Sequence, residues 1–141
     1  MRKPLAVVIL AAGALLASNI ALFAHHSPQG EFDLFTTKSI TGTFNKLEWT
    51  NPHPYLHLLV KDAKTGEEIR WDFETDGIQN VKKKGFDRTF LKWGDTLSIE
   101  YFPSRDGTHH GYIKKLTLPD GRIYELFYTK DIETAEGKKP Q

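Results

Sequence analysis

Cysteine is absent from all 141 residues. That excludes disulfides, thiolate metal centres, cysteine nucleophiles and thioredoxin-like chemistry, and it leaves no lipobox for a lipid anchor. An excess of one charge is missing too. With Arg2 and Lys3 cut away, 17 of the 19 basic residues remain against 18 acidic ones, a balance that argues against broad capture of nucleic acid or of an anionic membrane. The local signatures of catalysis are also lacking. There is no Gly-x-Ser-x-Gly elbow, no His-Glu-x-x-His, no phosphate-cradling glycine loop and no dinucleotide fingerprint. On these grounds the chain is expected not to be an enzyme.

What is present begins with an export signal. Arg2 and Lys3 form a short positive region, Leu5 to Ala17 runs without a charge, and Ser18-Asn19 breaks the run before Ala24. This is the order of a cleavable secretory signal, residues 1–24, with Ala24 the small residue at the cut, although Leu22 at the −3 position is bulkier than ideal. An uncleaved anchor is the competing reading, since Leu5 to Ala24 approaches the roughly 20 residues of a membrane helix. Cleavage leaves 117 of the 141 residues, enough for one core without staples. The expected location is periplasmic or secreted, with no stable membrane insertion after cleavage and no nucleic-acid partner. The expected domain runs over 25–128, and the charged, aperiodic residues 129–141 read as a disordered tail.

Along the domain the dominant period is two. Ser39 to Trp49 reads as a long first strand whose alternation slips phase between Phe44 and Leu47, the mark of a β-bulge, with Gly42 allowing the bend. Thr50 to Pro54 cannot continue a central strand because two prolines remove ladder donors. Tyr55 to Lys61 is a second strand, apolar on both faces, and Asp62 to Gly66 is a hairpin turn. Glu68 to Thr75 alternates Ile69, Trp71 and Phe73 with Arg70, Asp72 and Glu74. Gly77 to Gly85 is the only plausible helix, capped by Asp76 and Gly85. Thr96 to Phe102 is a fourth strand. Tyr112 to Leu118 and Arg122 to Tyr128 form a last hairpin through Pro119-Asp120-Gly121. The fold class is therefore all-β with one short helix. A small Greek-key barrel of OB-fold type, plugged by that helix, fits the order best, with a β-sandwich as the fallback.

Four stretches together carry a resemblance: Ala24-His25-His26-Ser27, Glu48-Trp49-Thr50-Asn51-Pro52-His53, Leu91-Lys92-x-Gly94-Asp95 and Leu118-Pro119-Asp120-Gly121-Arg122. In this order they resemble an exported bacterial family of unknown function, domain-of-unknown-function family 6152. Pro54 departs from the aromatic or aliphatic residue expected after the histidine. The resemblance implies export and a compact β domain, and it supplies no activity.

The chemistry centres on histidine. A chain starting at His25 carries a free α-amine beside an imidazole, and these two can chelate one metal ion as in a histidine brace. His26 can instead bind copper through its imidazole, its amide nitrogen and the terminal amine; copper and nickel favour such nitrogen-rich sets. His53, in the rigid Asn51-Pro52-His53-Pro54 loop, is the candidate third ligand, and His57 lies on the same strand parity. The metal-ligand candidates are thus His25, His26, His53 and His57, with copper ahead of zinc. The plain alternatives are a polar cleavage junction, a loop-holding His53 and a satisfied core-edge His57. His109-His110 reads as a solvated hairpin tip, and Asp72 and Glu74 as a hydrated outer strand face. A second candidate surface is Trp49, Asn51 and Tyr55, where aromatic and polar groups can meet a glycan or protein. The leading reading is an exported binding or accessory domain that takes copper through its mature N-terminus. A metal-free protein- or glycan-interaction module is the alternative, and a redox or hydrolytic enzyme the most remote.

Overall fold

A computed structural model describes residues 28–127. The expected signal, His25 and His26, and the expected tail lie outside these residues. A helical turn at Pro28–Glu31 opens the described chain. Six strands follow: β1 Lys38–Glu48, β2 Tyr55–Lys61, β3 Glu68–Glu74, β4 Thr96–Pro103, β5 His110–Thr117 and β6 Ile123–Glu125, with helix α1, Ile78–Lys83, between β3 and β4.

The sheet runs β3-β2-β1-β4-β5-β6, and β3 also pairs with β5, so β1, β2, β3, β5 and β4 close into a barrel. The closing ladder is parallel, Asp72 to Glu74 against His110 to Tyr112. β5 shares one edge between two partners: its first residues take β3, and Lys115 to Thr117 take the short β6. β1 divides its length, pairing β4 over Lys38–Thr43 and β2 over Thr43–Glu48. Five strands in this Greek-key order, with a helix between the third and fourth, make a barrel of OB-fold type.

Two local readings are corrected. The bulge in β1 falls between Phe44 and Lys46, where the alternation slips, but Gly42 is not its bend. Gly42 serves close approach instead: a Cβ there would sit 2.8 Å from the Leu59 carbonyl oxygen and 2.9 Å from Val60 Cγ2. Asp76 does not cap α1, whose N-cap is Gly77 without a side-chain bond. Its carboxylate is buried and accepts a 2.6 Å hydrogen bond from the Tyr112 hydroxyl. A distant aromatic donor outcompetes the local cap because the site is dry, where an unmade bond to a charged group is costly.

Inside the barrel Leu56, Leu58, Phe73, Leu97, Ile99, Ile113 and Leu116 are essentially unexposed, and Val81 of α1 joins them. Each such side chain contributes about 1.5–3 kcal/mol relative to exposure. An extra residue, Lys114, opposite Glu100–Tyr101 lets both Ile113 and Leu116 point inward. A second cluster forms on the outer face, where Phe32 and Leu34 of the lead-in cover Phe102, Tyr112 and Phe127. Backbone bonds fasten the lead-in: Asp33 N–H to Pro103 O and Arg105 N–H to Glu31 O, each 2.9 Å. Phe127 enters this cluster, and the last strand correspondingly stops at Glu125.

The turns are held by ionised carboxylates. Backbone N–H bonds hold Asp62, Asp87, Asp106 and Asp120 below the usual carboxyl range, and the Thr36 hydroxyl does the same for Asp33. A carboxylate with a depressed folded-state pKa stabilises above its unfolded value, near 4, and loses that contribution as pH falls through the depressed value. The urea midpoint is therefore expected to hold steady above about pH 5 and to drop progressively below pH 4. A midpoint unchanged down to pH 2 would show that these turns do not depend on charged acids.

Candidate functional site on the outer face of the barrel

Alternation and register together build the site. Partners across a ladder share a face, as do residues two apart on one strand. The pairings Lys46↔His57, His57↔Asp72 and Asp72↔His110 form one row across four strands. Glu48↔Tyr55, Tyr55↔Glu74 and Glu74↔Tyr112 form the next. Both rows face outward, because Leu56, Leu58 and Phe73 between them fill the core. A pocket of about 500 Å³ opens here, lined by Glu48, Tyr55, His57, Arg70, Asp72, Thr108, His109 and His110.

His57 is the most enclosed polar residue of the pocket wall, 3% exposed. Its Nδ1 lies 2.5 Å from Asp72 Oδ1. Arg70 Nη2 is 3.0 Å from the same nitrogen, while Arg70 Nε–H donates to Asp72 Oδ1 at 2.7 Å. A guanidinium only donates, so it competes with the ring proton at that edge. The closer carboxylate decides for Nδ1–H donating to Asp72. Burial pushes the Asp72 carboxyl up, but the bonds from His57 and Arg70 and their charge bring it below the usual range. Nε2 is left buried with no hydrogen-bond partner among the described residues, 3.4 Å from Glu48 Oε1. Metal-ligating histidines are likewise fixed by a carboxylate at one ring nitrogen, with the other nitrogen left for the ion.

Beside it stands a second group. Glu74, 9% exposed, accepts the Tyr55 hydroxyl at 2.9 Å and lies 3.4 Å from His53 Nδ1. Burial pushes the Glu74 carboxyl above its ordinary range, and the Tyr55 bond and the nearby histidines offset only part of that. Burial, with the charge of Glu74, likewise raises the Tyr55 hydroxyl, which stays a donor. His110 stacks on Tyr55, centroids 6.0 Å apart, and meets Phe32 edge-on at 5.0 Å. Its Nδ1 lies 3.3 Å from Glu31 Oε1, and its Nε2 is buried without a partner among the described residues.

The sequence candidates divide among these places. His57 and Tyr55 line the pocket. His53 stands at Glu74, with its Nδ1–H donated to the Thr75 carbonyl at 2.8 Å. Asn51 is exposed beside the cis Asn51–Pro52 peptide. Trp49 packs against Phe86 at the core edge, away from the pocket wall. His25 and His26 lie outside the described residues. Two expectations are corrected. The outer face of β3 is not simply hydrated, since Glu74 is buried, and the histidine pair is not a solvated tip. His109 is exposed and tilts over Trp71 at 4.8 Å, whereas His110 turns into β5 and toward Glu31. The residues that the sequence reading missed, Glu31, Glu48 and His110, carry no local signal. Only the parity of Asp72 and Glu74 was available, and parity names a face without naming what covers it.

No curated protein matches the chain. The profile of a family of unknown function (DUF6152) matches residues 12–114 of the 141. The chain therefore belongs to that family, the one its His-His-Ser and Glu-Trp-Thr-Asn-Pro-His stretches resemble.

Proposed function

We propose that the protein is an exported binding domain, periplasmic or secreted, whose ligand is a transition-metal ion, copper foremost. The observation that carries this reading is His57: buried, fixed by Asp72 through Nδ1, with an unpartnered Nε2 beside Glu48 on the wall of the pocket. A buried imidazole nitrogen without a partner costs free energy unless something pairs with it. A metal ion that takes Nε2 and the Glu48 carboxylate does so. Cleavage after Ala24 adds a separate nitrogen set, the α-amine and imidazoles of His25 and His26.

The test uses secreted, natively processed protein: intact mass to locate its first residue, then Cu(II) titration followed by electron paramagnetic resonance. A chain beginning at His25 is expected to bind copper at the N-terminus and in the pocket. Replacing His25 and His26 together by alanine removes the first signal and leaves the second. If that chain binds copper no better than a denatured control, the pocket is not a metal site.

A second reading, a metal-free module for a glycan or another exported protein, is favoured by the position of the pocket. It lies on the face of strands β2 and β3, flanked by the β4–β5 loop, where barrels of this class bind oligosaccharides. That reading expects loss of binding on Tyr55→Ala and no effect from replacing His25 and His26 by alanine.

A further inference from the structure

Glu31, Glu74 and His110 come from three distant parts of the chain, yet one potential ligand atom from each lies within 4.8 Å of the other two. Glu31 closes the helical turn of the lead-in, Glu74 ends β3 and His110 begins β5. From these residues we infer a divalent-cation site of zinc type that fastens the lead-in to the closed barrel. It uses neither His57 nor Glu48, although His110 also lines their pocket, and it does not rest on copper binding there.

Three observations argue for it. The donor set is two carboxylates and one imidazole, which suits zinc better than the nitrogen-rich sets that copper prefers, while an imidazole ligand speaks against magnesium or calcium. Its imidazole is only half satisfied: His110 Nδ1 lies 3.3 Å from Glu31 Oε1, while its Nε2 is buried with no hydrogen-bond partner among the described residues. Glu74 is also nine-tenths buried with a second carboxylate, Glu31, close by. Two acids crowded at a partly dry site repel each other unless a cation lies between them.

The geometry needs little adjustment. Zinc with ligands at about 2.0–2.1 Å sets tetrahedral donors roughly 3.4 Å apart. Glu31 is exposed and has the flexible side chain needed to close that gap. The remaining contacts hold the other two residues in place. Tyr55 donates to Glu74 and stacks on His110, and Phe32, next to Glu31, packs edge-on against His110. With three protein donors the fourth position falls to water. Because Phe32 and Leu34 cover Phe102 and Tyr112 directly after Glu31, an ion at this point secures the outer cluster as well.

The experiment measures Zn(II) binding to the full processed chain by calorimetry and by thermal melting. At a hundredfold excess over Kd, zinc is expected to raise the melting point by roughly 10 °C. Glu31→Gln and Glu74→Gln are each expected to weaken zinc binding at least tenfold and to abolish that shift. Glu74→Gln keeps an oxygen for the Tyr55 hydroxyl, and Glu31→Gln changes an exposed side chain, so at least one variant folds. His57→Ala is expected to leave the zinc response intact, which separates failure of this site from failure of the copper pocket. Equal zinc-induced shifts in wild type and Glu31→Gln would overturn the inference. So would a Glu74→Gln variant whose melting point moves by the same amount with and without zinc.

Discussion

Gly111→Val is expected to destabilise the domain by about 3 kcal/mol, the upper part of the usual range for overpacking a filled core. Gly111 sits at the closure of the barrel, opposite Phe73 on β3 and Pro103 on β4. A Cβ at this position would press into the Tyr101 ring and lie 3.2 Å from both Phe73 Cδ1 and the Phe102 carbonyl oxygen. None of these neighbours yields easily. Phe73 is unexposed, meets Tyr101 edge-on at 5.1 Å and stacks on Trp71 at 5.9 Å, while the third contact is backbone. The urea midpoint is the direct check, and Gly111→Ala should show a smaller loss in the same direction. The effect reaches the site as well, because the ladder that sets Phe73 opposite Gly111 also sets Asp72 opposite His110. A wild-type midpoint in the valine variant would mean that β3 and β5 are not held this closely.

The second large effect falls on metal affinity. His57→Ala is expected to lower copper affinity of the pocket at least a hundredfold, and Asp72→Ala by about 10–100-fold, the usual consequence of removing the partner that orients a ligating histidine. The two variants differ in a second readout. Asp72→Ala leaves the His57 Nδ1–H buried without its 2.5 Å acceptor and frees Arg70, so a stability loss of about 1–3 kcal/mol is expected without any metal. His57→Ala removes the buried polar ring itself, leaving Asp72 with Arg70. Measured in a chain with His25 and His26 both replaced by alanine, the two affinities report the pocket without the N-terminal histidines. Should Asp72→Ala lose stability while keeping full affinity, the Asp72–His57 pair would be a structural bond and the ligand reading of His57 would fall.

How much of this was legible beforehand follows from the range of each interaction. The β2–β3 hairpin was readable almost to the residue. Glu68 to Glu74 alternates cleanly, Tyr55 to Lys61 is a short run apolar on both faces, and Asp62 to Gly66 between them is turn chemistry. The short helix and the barrel class were readable for the same reason, since strand period and turn spacing are local properties. The bulge was detectable as a phase slip, and in the right place, between Phe44 and Leu47, but the role of Gly42 was not. Gly42 looked like the bend, and only the packing of Leu59 and Val60 against it shows that its missing side chain serves close approach. Asp76 looked like a helix cap by every local rule until Tyr112, 36 residues away, took its carboxylate.

The candidate site divides along the same line. By itself the sequence determined that Tyr55 and His57 share a face, that Asp72 and Glu74 share another, and that the chain carries the motifs of its family, because side-chain direction along a strand is set by the two-residue repeat. Only the tertiary structure decided that these faces are the same face. The β3–β5 ladder joins Asp72 to His110, 38 positions further along the chain, and the lead-in brings Glu31 and Phe32 over both. Closure of a barrel and the covering of its outer surface depend on contacts between residues remote in sequence, and no local pattern encodes which remote residue arrives.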